Sequence, residues 1–499
     1  MKQAKLHGFF LLLILATRLG AQEYNSVPLN HPAYNIIEMG IIQGIILPPH
    51  GVKPWSAHTV KQKLREMADD STQAMSALEE EAVLRALDSL ERTTGFNLRD
   101  GRYRAEGSSF AFEAGLGLEN NFQVETPDTS FSSAHVVKAY LGGDMARFAS
   151  WNIAASGKFL TSDEFTFSPG IEAELNGAFF NQRLQLRMGR IRHDWGSNGA
   201  SLFLNAHAPP LAAFEGTYAP LSWLNVSFLC GAAERFGEGG WQPDEGLFSN
   251  MLSAAQIEFT PLQYLRFHVG GAAVLPEPDM AFFTGIGLLM PGLFSLWGNL
   301  FVDRLHSSSK DFFAKNSNSY AGQAGLKANI HWLPFAAFII RYTKIEPYCY
   351  KAFVNGGESL GYYLPPNSDE LLLRLESVLF PGANVHVQYQ MIRHGADYGY
   401  GAVGGSSLYD TLELENSIKY FLMDGVYQWD NIIKLGGSYN LKAAGIPLSL
   451  YAETGFVLTN FTINGSVGVG NEADYEPLDN EVYRARNGFV FSIGFRLFP

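Results

Sequence analysis

Residues 384–391 read Asn-Val-His-Val-Gln-Tyr-Gln-Met, so Asn384, His386, Gln388 and Gln390 alternate strictly with Val385, Val387, Tyr389 and Met391. Successive side chains of a strand point to opposite faces, and this run therefore presents one polar face and one apolar face. The same period of two returns where Arg183, Gln185 and Arg187 alternate with Leu184, Leu186 and Met188, and where Arg266 and His268 alternate with Leu265, Phe267 and Val269. A soluble sandwich alternates too, so the connections have to decide. Pro220, Pro261, Pro291, Pro334, Pro381 and Pro447 mark tight connections, beside aromatics such as Trp223, Tyr264, Trp332 and Phe380. Between them lie longer polar, glycine-rich stretches at 235–250, 305–319, 347–368, 395–429 and 461–486. Short turns at one end, long loops at the other and aromatics beside the short turns describe an all-β transmembrane barrel.

Counted with that parity, ascending strands fall near 106–119, 152–163, 183–192, 222–234, 263–275, 294–304, 335–346, 384–394 and 447–460. Descending ones fall near 134–147, 169–180, 202–219, 251–260, 281–290, 320–331, 369–380, 430–441 and 487–498, making eighteen antiparallel strands. Two more within 410–428 would keep the parity and give twenty. The last strand alternates Phe489, Phe491, Ile493, Phe495 and Leu497 with Val490, Ser492, Gly494 and Arg496, then ends at Phe498-Pro499. A terminal strand this rich in phenylalanine suits recognition by barrel-insertion machinery. Hydrocarbon leaves no backbone polar group a partner except within a closed sheet, and eighteen strands enclose a lumen wide enough for water or inserted loops.

Lys2 and Lys5 precede the apolar run Phe9 to Ala16, and Leu19-Gly20-Ala21 offers a cleavage site, so 1–21 reads as a secretory signal peptide. No later run approaches the ~20 apolar residues of a membrane helix. Residues 22–101 read as a small helical periplasmic region, and 102–499 as the barrel. Asn30 is placed to cap a helix from Pro32 to near Gly44, and Ser56 to cap a second carrying Val60, Leu64 and Met67. A third runs from about Gln73 to Thr93 and stops at Gly95. Net charge is −13 and no basic stretch exists, which argues against nucleic acid as a partner. Cys230 and Cys349 are far apart and read as unpaired small hydrophobes. The chain is read as a monomer in outer-membrane lipid, without a cofactor or metal: His31, His50 and His58 match no ligand spacing.

The densest polar cluster is the loop Gly189 to Asn205, where Arg190, Arg192, Asp194 and Trp195 combine cations, a carboxylate and a flat apolar ring. Such a set suits a sugar, with the indole against C–H faces and the charged groups on hydroxyls or acidic substituents. The bland alternative is a structural loop whose Arg and Asp pair inside the barrel mouth. Arg393 and His394 are weaker candidates. Ser197-Asn198-Gly199 follows His193 by four residues, a spacing that does not bring a base to a serine nucleophile on a strand, so the chain is read as no enzyme. Asp369 and Glu370 are adjacent, hence on opposite faces of a strand, and form no acid/base couple. The acidic stretch from Asn471 to Glu481 is most simply a solvated loop.

Several stretches together resemble the capsule assembly Wzi family: Gly189-Arg190 with Asp194-Trp195-Gly196, Ser201-Leu202-Phe203-Leu204-Asn205 and Ala208-Pro209-Pro210. Asn355-Gly356-Gly357 with Leu360-Gly361, Leu364-Pro365-Pro366-Asn367-Ser368-Asp369-Glu370, Arg393-His394-Gly395 and Phe421-Leu422-Met423-Asp424-Gly425 follow in the same order. The resemblance implies an eighteen-stranded outer-membrane barrel with a periplasmic helical portion, and a role in attaching capsular polysaccharide at the cell surface. It also implies one long loop over 395–429. The helical segment opening at Val27-Pro28-Leu29 is longer than the family's usual N-terminal portion. The competing reading is a porin-like channel, with the clustered loop as its constriction.

Overall fold

A computed structural model describes residues 24–69, 75–91, 95–97, 102–106, 110–126, 130–145, 149–161, 165–196, 201–233, 251–275, 279–304, 319–355, 357–395, 422, 426–443, 446–463 and 488–497. Eighteen strands make the wall. The first nine are β1 Phe110–Glu125, β2 Ser130–Met145, β3 Ala149–Thr161, β4 Phe165–Phe179, β5 Leu184–Ile191, β6 Leu211–Leu221, β7 Leu224–Ala232, β8 Met251–Leu262 and β9 Leu265–Leu275. Then come β10 Asp279–Met290, β11 Phe294–Arg304, β12 Ser319–Asn329, β13 Ala336–Ile345, β14 Ser368–Phe380, β15 Ala383–Gly395, β16 Val426–Ala443, β17 Ile446–Ile463 and β18 Gly488–Leu497. Neighbours pair antiparallel around the circle, and β18 closes onto β1 from Val490 opposite Glu125 to Leu497 opposite Leu118. Below that seam Arg102–Glu106 takes over the edge of β1, and Arg104 is held by Glu113 at 2.5 Å and Asp144 at 2.9 Å. Residues 1–21, read as a signal peptide, Ser197-Asn198-Gly199, most of 395–429 and the acidic stretch at 471–481 lie outside the described residues.

The alternation orients the wall as expected. Ile171, Met188, Ile257, Ile286 and Ile433 are exposed on the outer face, while Gln256, Glu258, His268, Gln323 and Gln390 are buried toward the lumen. Phe180, Trp223, Tyr264, Trp332 and Phe380 lie exposed at the short-turn rim, where amphipathic rings suit a membrane interface. One boundary moves substantially. The strand anticipated over 202–219 starts at Leu211, because Leu202, Phe203 and Leu204 bury their apolar side chains inside the lumen instead of on the wall.

Three helices close the short-turn end: α1 Pro32–Gln43, α2 Ala57–Asp69 and α3 Ala77–Leu90. α1 begins at Pro32 as anticipated, but its cap is His31 rather than Asn30, since the His31 ring accepts from the Ala33 N–H at 3.2 Å. Ser56 does cap α2, accepting from Thr59 N–H at 3.2 Å, and Ser76 with Glu79 forms a capping box on α3. α1 is apolar nearly all round and buries Tyr34, Ile36, Ile37 and Met39 against α2, α3 and the barrel floor at Phe335 and Val378. It ends at Gly44, whose φ of 81° is easy only without a Cβ, and that missing Cβ makes room for Pro291 of a wall turn.

The helical unit is hydrogen-bonded to turns around the floor. Gly292 N–H donates to Ile42 O at 2.7 Å, Phe335 N–H to Glu79 Oε1 at 3.0 Å, and Arg85 Nη1 to Pro381 O at 3.0 Å. From there residues 46–55 climb inside the lumen. Arg266 donates to Pro49 O at 2.6 Å, and Gly51 N–H donates to Glu258 at 2.8 Å. In the half nearer the long loops, residues 202–204, 349–355 and 357–364 fold inward and pack with wall residues Leu252, Val274, Phe283, Phe301 and Ile345. Phe203 stacks on Phe283 at 4.6 Å between centroids, and Phe353 stands edge-on to Phe203 and Phe301. Cys230 and Cys349 are not joined to each other by a disulfide.

Candidate functional site at the outer mouth

The six residues singled out from the sequence separate into three places. Arg190 ends β5 exposed; Arg187, three residues earlier, faces the lumen on Glu215, so Arg190 points to the outside of the wall. Arg192 is exposed where the chain leaves β5, and its Nη1 donates to the His207 and Ala208 carbonyls at 3.3 Å each.

Asp194 and Trp195 are buried mid-lumen instead. They pair antiparallel with Lys53 and Val52 of the ascending segment. Trp195 is 1 % exposed and its indole N–H donates to Glu215 at 3.1 Å, a carboxylate also held by Arg187 at 3.0 Å. Its ring is therefore unavailable for stacking on a ligand. Burial pushes the Asp194 carboxyl up to about 6, against the opposing pull of the Lys53 ammonium. The plainer reading of the loop paired its own Arg and Asp; here Asp194 faces Lys53 at 4.0 Å, and Arg192 donates to two carbonyls.

Arg393 and His394 stand on β15 opposite Asp369 and Ser368 of β14. Arg393 Nε donates to Asp369 Oδ1 at 2.9 Å, and its Nη2 to Oδ2, which also receives the Tyr342 hydroxyl at 2.9 Å. His394 Nδ1 lies 2.6 Å from Ser368 Oγ. Asp369 and Glu370 do lie on opposite faces, as strand parity requires: Glu370 turns inward.

Glu370, fully buried, is the hub that sequence reasoning missed. It accepts from the hydroxyls of Tyr362 and Tyr363, from Gln390 Nε2 at 2.5 Å and from Arg341 Nη2 at 3.2 Å. Desolvating a carboxylate is tolerable when donors surround it like this. The hub holds Tyr363, 41 % exposed, with its ring 5.6 Å from that of His207. Partial burial, then the cations Arg192 and Arg341, push the His207 imidazole below its usual value, so it is neutral at pH 7. The mouth thus offers two flat rings and the Arg192 guanidinium above the apolar cluster that packs the lumen. The Tyr362-Tyr363 doublet just before Leu364-Pro365-Pro366 was the available signal.

No family model matches the chain, and no curated protein matches it. Among solved structures it is similar to Wzi, an outer-membrane protein involved in group 1 capsule assembly in Escherichia coli and a carbohydrate-binding β-barrel. The TM-score is 0.60 at 11 % identity, over 96 % of this chain and 99 % of that one. It also matches the outer-membrane protein OprD from Pseudomonas aeruginosa with a TM-score of 0.46 at 10 % identity, over 81 % and 94 % of the two chains. At such identities the likeness is one of fold, the closed eighteen-stranded barrel of outer-membrane proteins.

Proposed function

We propose that this chain is a non-enzymatic outer-membrane barrel that holds an extracellular polysaccharide at its mouth. The observation that carries the reading is the exposed Tyr363–His207 ring pair beside Arg192, mounted on the buried Glu370 hub over a lumen packed with aromatic side chains. Rings at a water boundary suit the C–H faces of sugars, and a guanidinium suits hydroxyls or carboxylates. The carbohydrate binding of Wzi, which shares the fold, supports the same reading. Among the residues drawn from the sequence, Arg192 meets the glycan directly. Asp194, Trp195, Arg393 and His394 position the mouth, and Arg190 faces lipid headgroups.

The test is co-sedimentation of the purified barrel with surface polysaccharide from its own host. Tyr363→Ala and Arg192→Ala should each weaken binding while heat-modifiable gel mobility stays normal; full binding by both would end the proposal. A solute channel, the competing reading, needs a continuous aqueous path, and the Phe203–Phe353 cluster stands across it among the described residues. Steady ion-selective current through the unmodified protein in a planar bilayer would favour the channel instead.

A further inference from the structure

The half of the lumen nearer the helices is built differently from the half nearer the loops. Three cavities follow one another there. The first, with about 50 Å³ of space open to water, touches Thr260, Gln263 and Tyr264 at the short turn between β8 and β9. The second, also about 50 Å³, shares Pro48, Arg266 and Ser295 with the first and reaches Lys53 and His50. The third, about 20 Å³, continues from His50 to Arg187, Glu215 and Asn176. Above them the filling is apolar, and the wall contributes Leu252, Val274, Phe283 and Phe301.

Polar atoms without protein partners lie on this series, at His50 and Asn176, and on the wall outside its lining, at Asn225 and Gln256. Both ring nitrogens of His50, the Asn176 Nδ2, both side-chain heteroatoms of Asn225 and the Gln256 Oε1 are buried and meet no hydrogen-bond partner among the described residues. Asn225 stands opposite Glu258, which holds Gly51, and Gln256 stands opposite Ser227. An unsatisfied buried polar atom costs ~1–3 kcal/mol, so six of them in a dry interior would be incompatible with a marginally stable fold. Ordered water satisfies such groups where polar partners and space coincide, as they do at His50 and Asn176. The charges lining the series are balanced: Lys53, Lys327 and Arg266 face Glu38, Glu376 and Glu258.

We propose that this half of the lumen is a hydrated blind vestibule that admits water and small hydrophilic solutes from the periplasmic end. The barrel's seal against ions is then the aromatic cluster of Phe203, Phe283, Phe301 and Phe353, and the helical floor is a permeable cover. A barrel that looks plugged along its whole length is dry only in its outer half.

Thiol accessibility and conductance test this together on the full-length protein, in a Cys230→Ser background. Ser295→Cys places a thiol on the cavity series, and native Cys349, fully buried in the aromatic cluster, is the internal reference. A small charged methanethiosulfonate should modify the introduced thiol at least about tenfold faster than Cys349, while a polyethylene-glycol maleimide should modify neither. Equal rates with the small reagent, or no reaction at either thiol, would overturn the vestibule. In planar bilayers Phe203→Ala/Phe353→Ala should conduct, whereas Leu64→Ala, which loosens the helical core, should stay silent. Phe283→Ala probes the same seal from the wall if the double variant does not fold. Silence from every folded aromatic variant, or current through Leu64→Ala, would place the seal elsewhere.

Discussion

Lys53 of the helical segment and Asp194 of the outer loop stand opposite each other in a two-residue antiparallel ladder at mid-lumen, their charged groups 4.0 Å apart. One arrives from below and the other from above, and this ladder joins them. Gly196 N–H extends it by donating to Gly51 O at 3.3 Å. Lys53 also holds Glu38 at 3.0 Å, and Glu38 holds Lys327 at 3.2 Å, so the junction is tied to the wall at β12.

Lys53→Ala should loosen that junction. Asp194 loses its cation in a buried site and Glu38 keeps only Lys327. Removing one partner from a buried ion pair typically costs about 3–5 kcal/mol, because the other charge stays behind. The expected outcome is faster protease cleavage within residues 46–56 and a lower unfolding temperature, with the wall still resistant. An unchanged cleavage rate would show that the ladder contributes little.

Acid should undock the helical unit through Glu38. Burial raises its carboxyl, but Lys53 and Lys327 more than offset this and hold it at about 2. A folded-state value depressed below the ordinary one near 4.5 gives stability that is complete above 4.5 and lost as pH falls toward 2. On the order of 2–3 kcal/mol should disappear across that window. Glu38→Gln should flatten the pH dependence of protease sensitivity between those limits; a variant that still shows the full acid transition would assign it to other groups.

Trp195 should behave as a packing residue. Trp195→Ala empties a fully buried site between Val52 and Phe203 and should cost about 3–5 kcal/mol, lowering the amount of folded barrel. Trp195→Phe loses the bond to Glu215 yet keeps most of the volume, and should restore folded yield and glycan binding together. If the phenylalanine variant folds normally but fails to bind glycan, the indole has a direct role.

Glu370→Gln should leave the barrel intact and disorder its mouth. An amide cannot replace the carboxylate toward Arg341 and two tyrosine hydroxyls at once. A cost of about 1–3 kcal/mol at the hub should appear as several-fold weaker polysaccharide binding, and as increased fluorescence quenching of mouth tyrosines by iodide. Binding identical to the unmodified protein would separate the hub from recognition.

The wall was legible because lipid and lumen impose opposite demands on alternate residues. Gln388 and Gln390 read as inward, and Gln390 is found on Glu370. Parity likewise put Asp369 and Glu370 on opposite faces. The filling was not legible, since a polar inner face looks the same whether water or protein lies against it. Leu202-Phe203-Leu204 therefore read as the start of a strand, although Pro209-Pro210 ahead of β6 hinted that pairing begins later. Nothing local to Val52 or Trp195 announces their pairing, because the partners are far apart in sequence and each is only two residues long. At the mouth, Arg192 stood out by its charge, whereas Glu370 is defined by donors from four different positions that only the folded chain gathers.

The first described residues lie inside the wall near its short-turn end: Tyr24 N–H donates to Ser150 Oγ and Ser26 N–H to Glu174, both on wall strands. Yet the strand that completes the circle is made after the other seventeen, β18 against β1. A segment synthesised before every wall strand thus becomes the kernel, and the shell is sewn shut by a strand synthesised after all the others. Kernel and shell must be matched before that final stitch or reconciled through the lower opening afterwards, so a chain stalled short of β18 should leave its beginning accessible to periplasmic quality control.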